Sequence, residues 1–200
     1  MANDNRPVGL YPLRPAGHST IPVSVYQMNT GTDLFLYSPV AIAADGLVAA
    51  AIVGTAASVA YLGSIVGFLD ENKASIQELD PWFDASDATA ARYAIVADDP
   101  NQEFLVQEDT GGAALTQAEV GTVFSMLYLA TSGNTTTGIA SLELDRSTTV
   151  TTTAGQVQLL RLHDALNSDG TANAVGNWGK WVVRILKHQR GGQDVTLSVV

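Results

Sequence analysis

The chain is predicted to be all-β, a single barrel-like or sandwich domain with an extended N-terminal arm and one or two short helical turns. Three observations carry that expectation. Short apolar runs alternate with a period of two, turn residues separate them at even spacing, and the polar surface is drawn from threonine, whose branched Cβ suits a pleated sheet. Two hundred residues with 46% hydrophobic and 15% charged side chains make one ordinary globular domain.

Residues 1–20 hold Pro7, Pro12 and Pro15 with Arg6 and Arg14. They read as an extended arm, because proline at this density forbids a helix. Residues 21–190 form the β domain, and 191–200 a C-terminal tail. Ile21 to Met28 alternates, with Ile21, Val23, Val25 and Gln27 opposite Pro22, Ser24 and Tyr26. Leu34 to Ala43 is a strand or a strand pair broken around Pro39, and Asp45-Gly46 closes it with a hairpin signal. Leu47 to Leu69 runs without a charge and contains Gly63 and Gly67 at helix-dimer spacing. Its dilution by small residues and the absence of flanking Lys or Arg favour two buried strands, Leu47 to Val53 and Val59 to Leu69, parted by a turn at 54–58.

Asn72 to Ala91 reads as a surface loop with a helical turn near 74–79, pinned by Trp82 and Phe83. Arg92 to Asp109 reads as strand, turn, strand. Tyr93, Ile95 and Ala97 share one face, Phe104 and Val106 are expected to be buried, and Asp98 to Asn101 is expected to be an exposed hairpin turn. Thr116 and Glu119 have capping-box spacing, so a second helical turn is expected near 115–120. Val123 to Leu129 is a central strand. Thr131 to Thr153 is ordered loop around one strand, Ile139 to Leu144. Gln156 to Leu162 and Lys180 to His188 are strands, joined through a turn at Asn167-Ser168-Asp169-Gly170.

The net charge of −10 argues against nucleic acid as a partner, since phosphate binding needs a basic footprint. Lys180, Arg184, Lys187 and Arg190 form a basic cluster against an acidic centre. Cysteine is absent, which excludes disulfides, thiolate catalysis and sulfur-ligated zinc. No secretory signal is expected at the N-terminus, and no membrane partner. The nucleophile elbow, zincin, P-loop and dinucleotide motifs do not occur. His163 and Asp164 are adjacent and would face opposite ways in a strand. Ala165 and Gly176 stand where a calcium loop based on 167–170 needs acids. No catalytic, metal or cofactor residue is therefore expected.

Five segments in order carry a family resemblance: MANDNRPVGLYPLRP, VADDPNQEFLVQED, NTTTGIASLELDRSTT, QVQLLRL and NWGKWVVRILKHQ. Together they resemble a family of tailed-phage structural proteins identified as head decoration, or cement, proteins. The resemblance implies a β-rich clamp, not an enzyme, that binds the outer face of an icosahedral shell and bridges neighbouring copies of the major capsid protein, usually as a homotrimer. A head-tail connector, tail or fibre component is the alternative, and a hydrolase ranks behind it. Arg6, Pro7, Leu10 and Arg14 of the arm, with Trp82 and Phe83 of the long loop, are the expected partner-binding residues.

Overall fold

The computed structural model describes residues 3–14, 20–29, 31–54, 60–74, 82–87, 90–150, 155–164 and 166–191. The expected turn at 54–58, the helical turn near 74–79 and the C-terminal tail fall largely outside these residues.

The described chain is built from antiparallel strands. They are β1 (Tyr11–Pro12), β2 (Ser24–Gln27), β3 (Leu34–Phe35), β4 (Pro39–Ile42), β5 (Val48–Ala50), β6 (Gly63–Leu69), β7 (Trp82–Phe83), β8 (Tyr93–Ala97), β9 (Glu103–Gln107), β10 (Val123–Asn134), β11 (Ile139–Val150), β12 (Val157–Leu162) and β13 (Lys180–Ile185). A six-stranded sheet has the order β1-β9-β13-β12-β10-β11, a five-stranded sheet the order β2-β8-β6-β4-β5, and β3 pairs with β7. Both larger sheets curl. Glu108, just past β9, bridges Leu144 of β11, and Met28, just past β2, bridges Val48 of β5.

The larger core gathers Leu10, Phe104, Phe124, Leu142 and Trp181 from the six-stranded side and takes in Tyr61 and Ala97 from the other. A second core, with Met28, Val40, Leu62, Ile65 and Val96, fills the curl of the five-stranded sheet. Backbone links tie the sheets together, with Tyr61 N donating to Lys187 O at 2.8 Å and Gln189 N to Tyr61 O at 2.9 Å.

The expected hairpin at Arg92 to Asp109 is corrected. Both strands form and Phe104 and Val106 are buried, but β8 pairs with β2 and β6 while β9 pairs with β1 and β13. The turn between them therefore carries the chain from one sheet to the other. Local chemistry does make a turn, since Gln102 N donates to Asp99 O at 2.9 Å and Asn101 N to the Asp99 carboxylate at 2.8 Å. A turn sets direction, but the neighbours are chosen by cores that the turn does not know about. The inward face of β8 is also the other one, with Ala94 and Val96 fully buried and Tyr93 and Ile95 half-buried.

A hairpin instead joins β10 and β11. Asn134 makes its turn, accepting from the backbone N–H groups of Thr136 and Thr137 at 2.9 and 3.1 Å. The threonine-rich segment is thus mostly strand, bent by register shifts between Phe124 and Ser125 and between Tyr128 and Gly133. Trp82 and Phe83 form β7, and a 3-10 turn follows at Ala85–Asp87. The second expected turn forms at Gln117–Glu119 with a complete capping box from Thr116 and Glu119. Among the described residues no helix is long and apolar enough to cross a membrane, and Gly63 and Gly67 lie in β6.

Gly133 marks a close approach. A Cβ there would stand 2.2 Å from the Phe35 ring, which itself stacks on Trp82 at 5.1 Å between centroids. Gly133→Ala is expected to lower unfolding free energy by about 1–3 kcal/mol through overpacking. Urea titration checks this, and an unchanged midpoint would show that the ring moves freely.

Candidate functional site: the arm dock and its buried charges

Residues 107–109, Gln-Glu-Asp, leave β9 on the side where the arm lies. Gln107 is fully buried and shares its amide three ways. Its Oε1 accepts from the backbone N–H of Arg6 at 2.8 Å, and its Nε2 donates to Asn5 Oδ1 at 3.0 Å and to Glu143 Oε1 at 2.7 Å. Further along the arm, Leu10 N donates to Tyr37 O at 2.9 Å, and β1 pairs with β9 at Leu105 and Phe104. At its start, Asn3 Nδ2 donates to Ala174 O at 2.7 Å and Asn177 O at 3.2 Å, while its Oδ1 accepts from Ala174 N at 3.0 Å.

Beneath this dock is a cluster of buried charge. Glu108, Asp109, Glu143 and Asp145 are all buried, and a buried cation, Arg146, lies beside the first two. Arg146 Nη1 lies 3.4 Å from Glu108, its Nε 3.8 Å from Asp109, and its Nη2 donates to Asn177 Oδ1 at 2.9 Å. Glu108 also accepts from Leu115 N at 3.1 Å. Burial outweighs these partners and pushes the Glu108 carboxyl up to about 7. Burial also raises Glu143, with a further push from Asp109.

The other motif residues act as ties between segments. Asp98 is buried, accepting from Tyr26 Oη at 2.5 Å and Ser24 Oγ at 3.2 Å and pairing with Arg190. It is therefore not the exposed start of a turn. Gln189 grips the backbone of Ile42, accepting from its N–H at 2.7 Å and donating to its carbonyl at 3.1 Å. His188 Nδ1 accepts from Arg190 N at 3.0 Å, and burial holds the imidazole below its usual range, so it is neutral at pH 7.

Two open clefts of about 510 and 370 Å³ flank Pro100. Ser24, in the smaller, donates to Asp98 at 3.2 Å. Among the described residues no group of three or more His, Asp or Glu is arranged to hold a metal ion.

The expected partner residues divide. Arg6 and Arg14 are exposed and Pro7 is half-buried. Leu10 is 0% exposed, inside the chain's own core. Phe83 is buried in the second core, and Trp82 is half-buried against Phe35. Leu10 and Phe83 are occupied by the fold's own cores, and Trp82 by its stack on Phe35. The basic cluster also disperses, with Lys180 buried, Arg184 bonded to Gln158 and Arg190 to Asp98.

What composition could not reveal is the exposed apolar set on the connection from β12 to β13. It comprises Leu166 and Val175, with the half-buried Trp178 on the same connection. The charged cluster had a faint signal, since Gln-Glu-Asp and Leu-Glu-Leu-Asp-Arg place acids inside apolar strands. Comparison of the chain with protein-family models, curated proteins and solved structures gave no match.

Proposed function

We propose that the chain is a tailed-phage head decoration protein, a homotrimer that binds the outer capsid surface and bridges neighbouring capsid subunits. One observation carries the reading. Among the residues behind the resemblance, Asp98, Gln107, Glu108 and Arg146 are buried and Gln189 is half-buried, and all five are ties that join the arm and both sheets. The resemblance thus concerns the whole fold and not a scatter of surface matches, which supports extending the family's role to this chain. The way each sheet bridges its own far edge supports the finer description of the domain as barrel-like.

The test is sedimentation of the chain with capsid shells stripped of decoration. Binding to shells, and a free species of three times 21.0 kDa, are expected. Binding to tails or host cells instead, or hydrolysis of host glycans, would overturn the proposal. Deleting the arm would remove Leu10 and β1 and so test folding, not binding. Arg6→Ala with Arg14→Ala is the cleaner probe. Stability is expected to stay within about 0.5 kcal/mol, since both side chains are exposed. Shell affinity is expected to fall severalfold; an unchanged affinity would remove the arm from the interface.

A further inference from the structure

The connection from β12 to β13 spends its polar groups on holding itself rigid and leaves its apolar ones outside. Asn173 Nδ2 donates to His163 O and Lys180 O, both at 2.8 Å, and its Oδ1 accepts from Lys180 N at 3.0 Å. Asn167 N donates to Thr171 O at 2.8 Å, closing the turn, and Asn3 clamps Ala174 and Asn177 from the arm. On this braced loop Leu166 is 67% exposed and Val175 48%. Trp178 is half-buried with φ +61, a left-handed backbone that a bulky side chain rarely adopts. Strained aromatics on rigid loops are characteristic of contact sites, where a preorganised anchor loses little entropy on binding.

The charge around these side chains indicates what covers them. Asp164 and Asp169 are exposed on the loop, and Asp4 of the arm accepts a hydrogen bond from Ser168. Of the nearby cations, Arg161 is committed to Glu103 at 2.6 Å and Lys180 is buried with its Nζ toward Asn167. Arg6, two residues on from Asp4, is the exposed exception. A second copy of the same acidic loop, or an anionic membrane, would be repelled.

We propose that this loop is a protein-docking surface, with Trp178 and Leu166 as anchors, for a partner face that has an apolar pocket rimmed by lysine or arginine. Resting on the reading above, that face belongs to the capsid shell.

Decoration-free shells are the probe, and the variants are chosen to keep the fold. Trp178→Gly removes a side chain from a backbone that glycine adopts without strain, and Leu166→Ser alters an exposed position. Each is expected to weaken shell binding about tenfold or more, Leu166→Ser with no fall in thermal midpoint because its side chain is exposed. Asp164→Asn with Asp169→Asn is expected to slow association severalfold and flatten its salt dependence. Wild-type binding with Trp178→Gly and Leu166→Ser bound equally well would overturn the loop and leave the capsid reading standing. Wild-type chain that does not bind shells would overturn both.

Discussion

Replacing Arg146 with alanine is expected to cost about 3–5 kcal/mol of stability at pH 8, much of what a domain of this size has. Its guanidinium lies 3.4 Å from Glu108 and 3.8 Å from Asp109, both buried, and ties them to Asn177. Removing it leaves ionised oxygens out of water with nothing opposite, and that desolvation sets the size of the loss. The loss should shrink toward pH 5, because Glu108 can then take up a proton and stop being a charge. Arg146→Met combined with Glu108→Gln should recover much of it, since a neutral pair needs no counterion. Urea titrations of the single and double variants at both pH values give the result. A loss below about 1 kcal/mol at pH 8 would mean that water already reaches the cluster.

Glu108→Gln is expected to change how stability depends on pH. In the folded chain Glu108 holds its proton to about pH 7, against an ordinary value of 4.5. The native state therefore binds more protons than the unfolded state between these values, and stability falls as pH rises through that window. The shift corresponds to roughly 3 kcal/mol between the two ends. Glu143 acts in the same direction, since its carboxyl is also raised. Glutamine keeps an acceptor for Leu115 N but carries no charge. The variant should therefore gain on the wild type by roughly 3 kcal/mol between pH 4 and pH 8. Parallel wild-type and variant curves would show that another group carries the dependence. The cluster lies under Gln107, which grips the arm, so protection of the Arg6 amide from hydrogen exchange should follow the same pH trend.

Most of the strands were legible because each needs only a local pattern. Val25 and Tyr26, Phe104 and Val106, and Leu159 with Trp181 all lie on strands where alternation or an apolar run put them. Turns were legible where one residue supplies the chemistry, as with Gly46 at φ +78 and the Thr116–Glu119 capping box. The site was less so. Of the residues expected to meet a partner, Arg6 and Arg14 are exposed, whereas Leu10 and Phe83 are buried and Trp82 is half-buried. Leu166, Val175 and Trp178 went unnoticed, because exposure is not a property of a residue type.

The sequence by itself determined the secondary structure class, the turn chemistry and the absence of thiol and disulfide chemistry. Alternation, proline and side-chain hydrogen bonds act within a few residues and need no partner to be read. Only the tertiary structure decided that β8 and β9 join different sheets, that Asp98 is buried against Arg190, and that Arg146 is buried beside Glu108 and Asp109. Those outcomes depend on which faces share a core and which charges lose water together. Such contacts bring together residues as distant as Asn3 and Ala174, and no local pattern encodes them.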